Sequence, residues 1–120
     1  MASPAEQALQ AAVALSQLHP DLVEEGCGDV AVIVAEVLRR RGVSVEVIGG
    51  TAYFEDDPVW HAWLMVEGRR VDPTWQVRFG RQGVRYIPDQ PVLSMLVCFA
   101  ETAEELSGYA DQVEQLMETQ

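Results

Sequence analysis

The segment from Cys27 to Arg41 constrains the fold most, because Val30, Ala31, Val32, Ile33, Val34, Ala35, Val37 and Leu38 make it apolar on nearly every side. A helix with that pattern has no face to offer to water, so the rest of the chain must wrap around it. Its end is marked by Arg39, Arg40 and Arg41, which suit the negative end of a helix dipole, and by Gly42 as a left-handed cap. Its start is Gly26-Cys27-Gly28-Asp29. That places a thiol at the positive end of a buried helix, where unpaired N–H groups stabilise a thiolate and can receive a developing oxyanion.

The remaining segments read as partners for this helix. Pro4 to Leu18 is expected to be helical, with Leu9, Ala12, Val13 and Ser16 along one side, and His19-Pro20 ends it. Asp21 to Gly26 reads as an acidic connector. Val43 to Ile48 alternates as a half-buried strand, Gly49-Gly50 breaks it, and Thr51 to Phe54 resumes it. After a loop at Glu55-Asp56-Asp57-Pro58, the strand Val59 to Val66 turns at Glu67-Gly68 into Arg69 to Val71. A short strand is expected at Val84 to Ile87, while Val92 to Phe99 fits either a strand or a buried helical turn. Thr102-Ala103-Glu104-Glu105 has the form of a capping box, opening a last helix with Leu106, Tyr109, Ala110, Val113 and Leu116 or Met117 on one face. Segregated helices and hairpin-linked strands give an α+β domain spanning residues 1–120, with the cysteine-bearing helix packed on an antiparallel sheet and helices flanking it.

Composition removes several functions. A net charge of −11 repels phosphates and argues against nucleic acid. No apolar run approaches the roughly 20 residues that span a bilayer, and no leader is visible at the N-terminus, so a cytoplasmic location and two free thiols are expected. There is no asparagine, so only an acidic residue is left to orient a histidine beside a nucleophilic thiol.

His61 and Asp72 supply the other two parts of an activated cysteine. With the turn at Glu67-Gly68, position 61 pairs with about position 74, and Asp72 falls roughly opposite Trp63. His61, Trp63, Asp72 and Thr74 then share one sheet face. A thiolate attacks, an imidazole moves protons, and a carboxylate fixes the imidazole's tautomer and direction. Taken singly, each residue has a plainer reading: Cys27 in the core, His61 as a satisfied surface or core histidine, Asp72 as a turn residue. Cys98, in an apolar run, reads as core packing. A zinc site from Cys27, His61, Asp72 and His19 would lack the short paired ligand spacings of such sites, so no metal and no cofactor is expected.

These segments resemble the transglutaminase-like superfamily. The likeness covers about residues 24 to 76: Gly26-Cys27-Gly28-Asp29 with its apolar helix, His61-Ala62-Trp63-Leu64-Met65-Val66-Glu67-Gly68, and Val71-Asp72-Pro73-Thr74. The resemblance implies a papain-like cysteine-protease core with Cys27 as nucleophile, His61 as general base and acid, and Asp72 as the orienting carboxylate. It also implies a second oxyanion donor from upstream, for which Gln17 has the residue type. The expected activity is acyl transfer from a peptide or protein amide, with hydrolysis favoured over crosslinking in so short a chain. Trp60, Trp63 and Trp75 would line the cleft or pack on the sheet. Two alternatives remain: a binding or assembly module without useful catalysis, using the amphipathic last helix to dock a protein partner, and a maturation factor that needs a partner protein.

Overall fold

A computed structural model describes residues 2–25, 27–54, 57–75, 85–91 and 103–119. The described elements run α1 (Pro4–Leu18), α2 (Pro20–Glu25), α3 (Cys27–Arg40), β1 (Val45–Phe54), β2 (Asp57–Val66), β3 (Arg69–Val71), β4 (Arg85–Pro91) and α4 (Ala103–Glu118). The chain is therefore α+β, with an antiparallel sheet in the order β3-β2-β1-β4. Among the described residues, no helix is long and apolar enough to cross a membrane.

The apolar α3 is the centre of the core, as its composition requires. Val30, Ala31, Val34, Ala35, Val37 and Leu38 are fully buried and share one cluster with α1, α4 and the strands. The helix stops where Gly42 adopts φ 77°: the Gly42 N–H donates to Arg39 O and the Val43 N–H to Leu38 O. This is the paired bond pattern that satisfies the last carbonyls of a helix. On α1 the buried stripe runs through Ala8, Ala11, Ala12 and Leu15, and Val13 is 39% exposed, so the inward face is rotated by about one position from the one expected. The apolar face of α4 is spent inside the domain, with Ala110 and Val113 buried and Leu106, Tyr109, Leu116 and Met117 packed against the core. Arg40 ties α3 to α4 through Asp111 (2.6 Å), Glu114 (3.3 Å) and the Ser107 hydroxyl (2.9 Å).

Three local expectations are corrected. Within Asp21 to Gly26, read as a connector, residues up to Glu25 are helical, because Pro20 occupies the first position of α2, where its missing N–H costs nothing. Gly49-Gly50 does not break β1; both glycines keep their ladder places opposite Ala62 and His61, and the irregularity falls on the β4 side, between Ile48 and Gly50. Likewise Asp57 and Pro58 belong to β2, opposite Phe54 and Tyr53. Of the strand expected at Val84 to Ile87, Arg85 to Ile87 begin β4, which runs on to Pro91; its two prolines are tolerated because β4 is an edge among the described strands. Gly26, Glu55 and Asp56 of the expected loop, Val84, the apolar run Val92 to Phe99 with Cys98, and Thr102 of the capping box lie outside the described residues.

The sheet curls. Flat, its outer strands β3 and β4 would lie about 14 Å apart, three strand spacings. Instead the Arg70 guanidinium of β3 sits 4.1 Å from the centre of the Tyr86 ring of β4. The curl closes over one face of β2, and that face carries the polar cluster described next.

Candidate functional site

The turn between β2 and β3 sets the geometry. Glu67 (φ 49°) and Gly68 (φ 80°) both take left-handed conformations, the two-residue turn that matches the twist of a hairpin. Val66 then pairs with Arg69, Met65 with Arg70 and Leu64 with Val71. Strand alternation sends Ala62, Leu64 and Val66 to the core shared with the helices, and His61 and Trp63 to the other face. Asp72, next after Val71, falls on the face of His61, as the hairpin spacing predicts.

His61 and Asp72 are 2% and 1% exposed, and Nε2 of the imidazole lies 2.7 Å from Asp72 Oδ2. The Tyr86 hydroxyl donates to the same oxygen at 2.8 Å. The other carboxylate oxygen, Oδ1, is held by the turn that follows it: the Thr74 N–H (3.3 Å), the Thr74 hydroxyl (3.1 Å) and the Trp75 N–H (3.0 Å) all donate to it. Asp-Pro-Thr-Trp thus folds back on its own carboxylate, a local turn that an aspartate favours. Burial pushes the Asp72 carboxyl up, but the hydrogen bond and charge of His61, the Trp75 N–H and the Tyr86 hydroxyl outweigh it, and the net shift is downward. Asp72 is therefore ionised at neutral pH. Facing a carboxylate, Nε2 must carry a proton, so the neutral imidazole keeps its lone pair on Nδ1.

Aromatic rings fix the plane of the imidazole. Trp75 stacks on it at 4.2 Å with 26° between planes, and Trp63 lies roughly parallel at 6.3 Å. Tyr86 packs edge-on against Trp63 at 5.0 Å. Of the three tryptophans, Trp63 and Trp75 belong to this cluster, whereas Trp60 is 50% exposed. The Tyr86 hydroxyl is pushed up, chiefly by burial and then by the charge of Asp72, so it stays protonated and remains a donor.

Cys27 is the first residue of α3, where the helix dipole is positive; its side chain lies outside the described residues. Two of the three expected site residues, His61 and Asp72, are thus brought into direct contact. Gln17 is on the exposed side of the last turn of α1. Reading the sequence alone missed Thr74 and Tyr86 as ligands of the carboxylate. Thr74 was legible in principle, because a threonine two residues after an aspartate is a known turn pairing. Tyr86 was not, since it arrives from the opposite edge of the sheet.

A cavity of about 560 Å³ lies elsewhere, between α2, α3 and α4, lined among others by His19, Asp29, Val32, Tyr109 and Gln112. His19 bridges to Gln112 at 2.8 Å and meets Tyr109 edge-on at 5.0 Å, and burial pushes the Asp29 carboxyl up. No residue of this cavity belongs to the His61–Asp72 cluster.

Comparison with known proteins found no matching family model, curated protein or solved structure.

Proposed function

We propose that this protein is a cysteine-dependent acyl-transfer enzyme acting on an amide or peptide bond, with a papain- or transglutaminase-like core. The observation that carries the reading is the His61–Asp72 contact of 2.7 Å between two buried side chains. A buried ionisable pair seldom stabilises a fold more than apolar residues of the same size would, so its presence is better explained by chemistry. Cys27 at the start of α3 supplies the nucleophile, in a position that favours the thiolate.

In this reading Nδ1 of His61 takes the Cys27 proton. The thiolate sulfur attacks the amide carbonyl carbon, and backbone N–H groups at the helix start receive the oxyanion. Collapse breaks the C–N bond as Nδ1–H protonates the departing amine, leaving a thioester on Cys27. A water molecule, losing its proton to Nδ1, attacks the thioester; the acid departs and the thiolate is regenerated. Asp72 stays ionised throughout and holds Nε2–H. The substrate partner is a peptide or protein amide, with neither nucleic acid nor membrane involved, and the reducing cytoplasm would keep the thiol free.

An activated ester tests the nucleophile without knowledge of the natural substrate. With 4-nitrophenyl acetate, the expected result is an early burst of nitrophenol and one acetyl group on Cys27. Cys27→Ala should lose the burst, and His61→Ala should slow it. A burst of wild-type size from folded Cys27→Ala protein would overturn the reading.

A further inference from the structure

We infer that Tyr86 is a positioning residue of this site, holding Asp72 as an ionised orienter so that the proton shared with His61 stays on the imidazole. The inference rests on the acyl-transfer reading for its catalytic meaning, and on geometry for the rest.

Tyr86 differs from the other donors to Asp72 in where it comes from and in which oxygen it takes. The Thr74 and Trp75 groups belong to the turn that Asp72 itself begins, and they hold Oδ1. Tyr86 reaches across from β4, the far edge of the sheet, and binds Oδ2, the oxygen that His61 uses. With the hydroxyl on one lone pair of Oδ2, the remaining lone pair has one direction, and the imidazole must lie along it. The hydroxyl also withdraws charge from that oxygen, so Oδ2 is a weaker base toward Nε2–H. Among the described residues, Tyr86 from β4 faces the His61–Asp72 pair, and Arg70 from β3 lies over the Tyr86 ring. The curl of the sheet is therefore what brings the Tyr86 hydroxyl to the carboxylate.

Tyr86→Phe removes one oxygen and keeps the ring that packs on Trp63 and beneath Arg70. The test follows the Asp72 carboxyl by ¹³C NMR through acid titration of the full chain, without substrate, alongside the pH dependence of Cys27 alkylation. Tyr86→Phe should raise the Asp72 midpoint by about one pH unit and move the acid limb of labelling upward with it. Tyr53→Phe, a tyrosine of β1 that faces Arg85 instead, should leave the midpoint in place. An Asp72 midpoint that does not move in Tyr86→Phe overturns the inference, whatever the thiol does. A midpoint that moves while wild-type labelling ignores His61 upholds Tyr86's hold on Asp72 and removes the acyl-transfer reading.

Discussion

Asp72 shows how far one side chain can be committed. Its two oxygens offer about four acceptor sites, and they meet His61 and Tyr86 on one side and the Thr74 and Trp75 groups on the other. Asp72→Asn would turn one oxygen into an N–H₂ that faces donors, wherever the amide points. The expected result is loss of acyl transfer on the order of 10³- to 10⁴-fold, read with an activated ester, because an amide carries no charge to stabilise the imidazolium and no longer fixes the imidazole's tautomer. The downward shift of Asp72 has a consequence for stability as well. A carboxyl held below its unfolded value of about 3.9 stabilises the fold above that pH and loses the contribution as pH falls through the folded value. Thermal melts should therefore show wild-type stability falling more steeply than that of Asp72→Asn below about pH 4. At this scale the His61–Asp72 contact was legible in the sequence, because Glu67-Gly68 fixes the register and eleven residues of hairpin do the rest. The Tyr86 contact was not, because no local spacing reports the curl of a sheet.

Elements succeed or fail here through their ends. The α3 helix was legible from both its apolar run and its Gly42 cap, and the hairpin from its turn, since each signal is local. The misread stretches are those where a breaker residue has a second use: Pro20 opens a helix, and Gly49-Gly50 continue a strand whose neighbours keep their bonds. The hairpin turn carries a direct test. A Cβ at Gly68 would meet nothing within 4 Å, so the cost of Gly68→Ala comes from its φ of 80° alone. That cost should be about 1 kcal/mol by denaturant titration. The Cys27 labelling should still depend on His61, since the register is also held by the β1–β2 ladder.

At the scale of the molecule, the described residues form a helical layer on a curled sheet, and the two meet along α3. Leu38, fully buried in the shared cluster, should lose about 2–5 kcal/mol on change to Ala. Arg40, which clamps α3 to α4 at a partly exposed position, should lose only about 1 kcal/mol on change to Ala, and less at high salt. The apolar core was readable from composition and period; the division of the sheet into a core face and a site face was readable only after the hairpin register was known. The measurement that reaches the central claim is the pH dependence of alkylation at Cys27 and Cys98, read separately by peptide mass spectrometry in wild type and His61→Ala. A working thiolate–imidazole pair requires fast labelling of Cys27 well below the roughly 8.5 of a free thiol, lost without His61, with Cys98 unaffected. Slow labelling of Cys27 with an ordinary midpoint, indifferent to His61, would contradict it.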